Sequence, residues 1–130
     1  MRDDQLTAQA VGRTGEAIAV DYLRRRKYKI IETHFRFLRG EIDIVARDRT
    51  TLVFVEVKMR TGRAFGRPEE SVTPAKQRQI RKVAEGYFLM RRLGDVACRF
   101  DVIAIRPAVV GGPDGDGGAG YTVEHFLDAF

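Results

Sequence analysis

An α/β domain is the fold class that this sequence predicts, on three observations. Two segments, Thr7 to Arg26 and Thr73 to Arg91, repeat apolar residues at helical spacing. Between and beyond them lie runs rich in β-branched and aromatic residues, of strand length and bounded by turn residues. A chain of 130 residues, 44% hydrophobic, suits one domain with one core and needs no covalent staples.

Met1 to Leu6 reads as a frayed arm ahead of the first helix. In that helix Ile18, Ala19, Tyr22 and Leu23 share one side, while Asp21, Arg24 and Arg25 take the other. Tyr28 to Phe35 reads as a strand, and Arg36 to Gly40 as a basic loop. Two further strands, Glu41 to Arg47 and Thr51 to Arg60, flank a polar turn at Asp48 and Arg49. The second holds Leu52-Val53-Phe54-Val55, a continuous apolar run of the kind buried on both faces. Arg60 to Val72 is a long Gly- and Arg-containing connector.

Thr73-Pro74 supplies the second helix with a threonine N-cap and a proline at its first position. Ile80, Val83, Ala84, Tyr87 and Phe88 form its apolar stripe, and Arg78, Arg81 and Lys82 face away from it. Arg99 to Arg106 is the next strand. Residues 111–120 are a glycine-rich, flexible excursion, and Tyr121 to His125 a short edge strand. No internal repeat and no second domain is evident, so residues 1–130 read as a single domain.

The lone Cys98 cannot close an internal disulfide and removes cysteine-based zinc sites from consideration. His34 and His125 are far apart in sequence without ligand spacing, and read as surface or boundary residues. No apolar run approaches the roughly 18 residues of a membrane span, and the N-terminus lacks a signal-peptide core, so the expected location is cytoplasmic. The formal charge is +5, concentrated between Arg24 and Arg92, where 19 Lys/Arg face 8 Asp/Glu. Such an excess is either a solvated surface or a face for a polyanion, of which nucleic acid is the natural example.

The chemistry concentrates in the paired strands. Side chains alternate faces along a strand, and opposed residues of an antiparallel pair share a side. With Arg47 opposite Thr50, Asp43 lies opposite Phe54 and Glu41 opposite Glu56, which places Glu41, Asp43, Glu56 and Lys58 on one face. Glu56 interrupts the apolar run Val53-Phe54-Val55-Glu56-Val57, where an uncompensated carboxylate costs several kcal/mol. One lysine cannot neutralise three neighbouring carboxylates, whereas a divalent cation can; magnesium uses one or two carboxylates and binds substrate phosphates. The plain alternative is a Glu56–Lys58 or Glu41–Lys58 ion pair at a strand edge. Glu16, on the apolar side of the first helix, and Gln77, in the first turns of the second, are further candidates; either also suits an ordinary helix boundary.

Asp43 followed by Glu56-Val57-Lys58 resembles the PD-(D/E)xK signature of the restriction-endonuclease-like superfamily, with Ile42 where the signature has proline. Over Gly12 to Asp101 the sequence also resembles the YraN-type family of bacterial proteins. The matching stretches are Gly15-Glu16, Gly40-Glu41-Ile42-Asp43, Phe54-Val55-Glu56-Val57-Lys58, Pro68 to Pro74, Lys76-Gln77 and Phe100-Asp101-Val102. The helix glutamate and the Glu-Val-Lys strand are more distantly similar to archaeal Holliday-junction resolvases.

The resemblance implies a restriction-endonuclease-like fold, a central mixed β-sheet flanked by α-helices. It implies metal-dependent hydrolysis of DNA phosphodiester bonds, including branched or recombination intermediates. Asp43 and Glu56, joined by the Val57 backbone carbonyl, would hold Mg²⁺ or Mn²⁺, with Glu16 or Glu41 binding through water or a second metal. Lys58 would orient the attacking water and stabilise charge on the phosphate, and Gln77 would position that water or a phosphate oxygen. Arg36, Arg39, Arg60, Arg63 and Arg67 would hold the nucleic-acid backbone. A homodimer is an expectation by analogy. The rival expectations are a non-catalytic nucleic-acid-binding module in DNA repair, recombination or uptake, and an interaction protein whose charge meets an acidic protein partner.

Overall fold

The computed structural model describes residues 8–59, 72–107 and 120–130. Helix α1 spans Ala8–Arg25, followed by strands β1 (Lys29–Phe37), β2 (Gly40–Asp48) and β3 (Thr51–Met59). Helix α2 (Pro74–Met90) then leads to β4 (Cys98–Pro107) and β5 (Tyr121–Phe126). The five strands form one sheet in the order β1-β2-β3-β4-β5. Its neighbours run antiparallel except for β3 and β4, which are parallel. That parallel step follows from connectivity: α2 is the crossover that a parallel neighbour requires. The result is a mixed sheet flanked by two helices, compatible with the restriction-endonuclease-like fold.

The continuous apolar run of β3 feeds two cores. Leu52 and Phe54 pack with Ile80, Val83, Ala84 and Tyr87 of α2, and with Phe35, Val45, Phe100 and Val102. Val53 and Val55 face the other way, toward Ala19, Tyr22 and Leu23 of α1, joined by Ile44, Ala46, Ile103 and Ile105. Period-two alternation in a strand covered on both faces accounts for this division. At the start of α2 the Thr73 hydroxyl accepts the Lys76 amide at 3.2 Å, with Pro74 in the first turn, as the sequence predicts.

Several boundaries differ from expectation. Residues Arg36 and Phe37 are not loop but strand, paired with Glu41 and Gly40, so the expected basic loop shrinks to a two-residue turn at Leu38 and Arg39. The β2–β3 hairpin pairs Asp48 with Thr51 and Arg47 with Leu52, two positions from the expected register. Arg49 takes a positive φ of 59° to close that turn. Arg81 is not simply a solvated residue: its guanidinium lies 4.9 Å from the Phe100 ring centre and 5.7 Å from that of Phe130. The N-terminal arm, the connector at 60–71 and the glycine-rich segment at 111–119 lie outside the described residues.

A local irregularity positions the candidate site. Ile44 belongs to the α1 core, yet Ile42, two residues earlier, belongs to the α2 core. Alternation therefore breaks at Asp43, and the β2–β3 pairing reaches no further than Ile44 opposite Val55. The neighbouring β1 is irregular too, with a register shift between Ile30 and Glu32 and a positive φ of 57° at His34. Strands that part in this way leave backbone groups for side chains to satisfy.

Candidate active site

Where β2 leaves β3, the side chain of Asp43 replaces the missing strand partner. Its Oδ2 accepts the Val57 amide hydrogen at 2.8 Å. This fixes the carboxylate beside β3, although the expected ladder contact between Asp43 and Phe54 is absent and the acidic residues do not form a flat row on one face. Burial raises the Asp43 pKa and the Val57 hydrogen bond opposes that rise; Glu41 raises it further, while Lys76 and Lys58 lower it. Val57 contributes its amide here, whereas the sequence reading assigned a role to its carbonyl.

Glu56 sits next to this group, on the Phe54 side of β3, and is only 7% exposed. Lys58 Nζ lies 3.4 Å from its Oε2 and Lys76 Nζ 4.0 Å away. Even so, burial and the Asp43 carboxylate push the Glu56 pKa up to about 7, against the pull of the two lysines. Two ammonium groups thus do not offset the burial of Glu56 beside the half-buried Asp43 carboxylate. Hard oxygen donors in this balance fit a divalent cation such as Mg²⁺ or Mn²⁺.

A second acidic group stands on the α1 side. His34 Nε2 lies 2.6 Å from Glu16 Oε1, and its Nδ1 lies 2.6 Å from Glu41 Oε2. Arg36 Nε reaches the other Glu41 oxygen at 3.4 Å. Among the described residues, one ligand atom each from Glu16, His34 and Glu41 can be chosen so that all lie within 4.8 Å of one another. Burial, then Asp43, raises the Glu16 pKa, with His34 opposing; the hydrogen bond to Glu41 raises that of His34. Glu16 therefore feels Asp43, so the two acidic groups form one field across the gap between the strands. An open groove of about 450 Å³, lined by Glu16, Asp21, Arg24, Thr33 and His34, runs beside it.

The remaining candidates are more scattered. Gln77 Nε2 donates to the Val72 carbonyl at 2.9 Å, which ties it to the segment before α2. Arg36 extends from β1 and Arg39 from the hairpin turn, both exposed. Arg60, Arg63 and Arg67 lie outside the described residues.

Sequence reasoning missed three groups. Lys76 was visible only as part of a family stretch; its helical position three residues after the N-cap is what aims it at Glu56. His34 lacked any short-range ligand spacing, because Glu16 and Glu41 reach it from another helix and the next strand. His125 is no surface residue: its side chain is 5% exposed, and Nε2 lies 2.7 Å from Oδ2 of the fully buried Asp101. Tyr22 Oη stands 3.3 Å from the other nitrogen, and Arg99 Nε donates to Asp101 Oδ1 at 3.0 Å. This network fastens β5 to α1 and β4. It is a structural clamp, closed by the Asp128 amide on Asp101 at 2.9 Å.

The profile described as "Uncharacterised protein family UPF0102" matches residues 15–105, a span that contains both acidic groups and the parallel strand pair. A UPF0102 protein of Geotalea uraniireducens is 47% identical over 98% of this chain and 94% of its own length. One from Chlorobium limicola is 46% identical over 93% of this chain and 92% of its own, and one from Geobacter metallireducens 53% identical over 75% and 80%. On the breadth and level of these matches, the chain belongs to the UPF0102 family.

Proposed function

We propose that this chain is a metal-dependent endonuclease that hydrolyses phosphodiester bonds of DNA, including branched or recombination intermediates, in the cytoplasm. The observation that carries the reading is Glu56: a carboxyl in an apolar strand, its pKa pushed up to about 7 by burial and then by Asp43, with two lysines at hand. A carboxylate perturbed both by desolvation and by a specific charged neighbour is a candidate functional group.

Asp43 and Glu56 would hold the cation, with the Val57 amide keeping the Asp43 carboxylate in place. A bound Mg²⁺ or Mn²⁺ supplies Lewis-acid polarisation of the scissile phosphate. Lys58, 3.4 Å from Glu56, brings a positive charge to the developing negative charge on the phosphate and a donor for the incoming water. Lys76 adds a second cation from the first turn of α2. Arg36 and Arg39 offer backbone contacts beside the site, and the excess of Lys/Arg draws the polyanion in. Cutting opposed strands of a junction takes two such sites, which a homodimer would supply.

The test is a panel of labelled single-stranded, flapped, branched and duplex DNA incubated with Mg²⁺ or Mn²⁺. The wild type cuts at least one of them, while Asp43→Ala and Lys58→Ala remain folded and lose cleavage. Unchanged cleavage in both variants removes the site from the reaction. A second reading has its own support. His34 already ties Glu16 to Glu41, and two lysines already flank Glu56, so the cluster is partly neutralised without a cation. In that case the chain is a non-catalytic nucleic-acid-binding module, and salt-dependent DNA binding appears without cleavage under any metal.

A further inference from the structure

The hairpin between β1 and β2 presents an apolar residue in an unusual way. Leu38, first of the two turn residues, is 81% exposed and has a φ of 56°. Left-handed backbone at a hairpin turn favours glycine or asparagine, so a large apolar side chain gains nothing there from local conformation or from burial. Residues held in such backbone tend to cluster at functional positions.

The tip is also rigidly supported. Phe37, immediately before it, packs so closely on Gly86 of α2 that a Cβ there would stand 2.4 Å from the ring. Gly40, immediately after it, meets Val83 of α2 with the same 2.4 Å spacing for a built Cβ. Gln79 Nε2 donates to the Arg39 carbonyl at 3.3 Å. Three points of α2 thus brace the turn and leave Leu38 outside. A groove of about 560 Å³ opens between hairpin and helix, with Phe37, Val83 and Leu38 itself as apolar walls and Arg39 and Lys82 among its lining. None of the residues lining it is acidic, and Arg36, with its side chain 77% exposed, stands on the same hairpin. This end of β2 is also the end at which it leaves β3, so the tip lies beside the acidic field.

We infer that the β1–β2 hairpin is a wedge: Leu38 enters the base stack of DNA at a branch or distortion, and the groove behind it receives the unstacked base. The inference rests on the proposed action on DNA and names the structure within DNA that is selected. Apolar side chains inserted between base steps, with cations on the neighbouring phosphates, are an established means of kinking a duplex. A base out of its stack finds new faces against aromatic and apolar groups. Positive charge at Arg39 and Lys82 complements the phosphates on either side of such a step. A branch point, where stacking is already interrupted, is the least costly place for the insertion.

The experiment uses 2-aminopurine placed at the branch point of a DNA junction, and in a continuous duplex as reference. Fluorescence is read on binding in EDTA, and cleavage of the junction and of an unstructured single strand is read in Mg²⁺ or Mn²⁺. Leu38→Gly removes the side chain and suits the φ, so it folds; Leu38→Phe keeps an apolar wedge. Wild type and Leu38→Phe raise fluorescence at the branch point, whereas Leu38→Gly binds without the rise. Leu38→Gly also loses about tenfold of the preference for junction over single strand, the scale of one base-stacking contact. The same rise and preference in Leu38→Gly overturns the wedge and leaves the nuclease reading intact. A Leu38-dependent rise without cleavage supports the wedge and overturns hydrolysis. A wild type that neither binds nor cuts any DNA overturns both.

Discussion

Glu56→Gln separates the charge of the candidate site from its shape. In the folded chain, burial and Asp43 push the Glu56 pKa from the ordinary 4.5 up to about 7. A carboxyl whose pKa is raised by folding keeps its proton more tightly in the native state. Its contribution to stability is therefore complete below pH 4.5, declines as pH rises from there to about 7, and stays lost above it. The gap between the two values corresponds to about 3 kcal/mol of native-state destabilisation at pH 8. At pH 5 the same gap is worth about 1 kcal/mol, because most unfolded chains have ionised Glu56 while few folded ones have. Glutamine cannot ionise and escapes the penalty. In EDTA, urea unfolding followed by circular dichroism should show Glu56→Gln gaining about 2 kcal/mol more over wild type at pH 8 than at pH 5, or about 1 M in midpoint. A midpoint difference that is the same at both pH values would refute the reasoning, since Glu56 would then ionise in the fold as it does in water.

Two other perturbations address the frame around the site. Asp101→Ala should destabilise the fold by about 3–5 kcal/mol in thermal or urea unfolding, because Arg99 and His125 lose a fully buried partner. Burial alone would raise the Asp101 pKa, but His125, Arg99 and the Asp128 amide outweigh it and hold it below the usual range. The wild type therefore loses this stabilisation as pH falls through the ordinary aspartate range and below, and Asp101→Ala lacks that part of its acid sensitivity. Gly86→Ala would place a methyl 2.4 Å from the Phe37 ring, costing about 1–3 kcal/mol and shifting the β1–β2 hairpin. Unchanged stability and an unchanged near-ultraviolet spectrum in that variant would show that the hairpin has room to move.

Much of the frame was legible because local chemistry agrees with tertiary need. Thr73-Pro74 marks the start of α2 by the same hydroxyl cap that the structure uses. The apolar run of β3 foretold burial on both faces, and the two helices supply the two covers. The β2–β3 register was displaced by two residues, an even shift that leaves the faces unchanged. What escaped prediction depends on contacts between distant segments. The break in alternation at Asp43 arises because Ile42 follows Phe35 into one core while Ile44 serves the other. No periodicity within β2 announces it. His34 acquires its carboxylates from α1 and β2, and the Asp101–His125 pair joins β4 to β5. Neither pairing leaves a spacing that a linear reading can detect.

The parallel pairing of β3 with β4 has a kinetic consequence. Strands β1 to β3 can assemble early through two short hairpins, whereas Leu52 meets Cys98 only after α2 has crossed the sheet. If that closure comes last, Glu56 and Asp43 stay in contact with water until then, and their repulsion belongs to the finished structure. Relieving it should slow the escape from the native state and leave the rate of reaching it almost untouched.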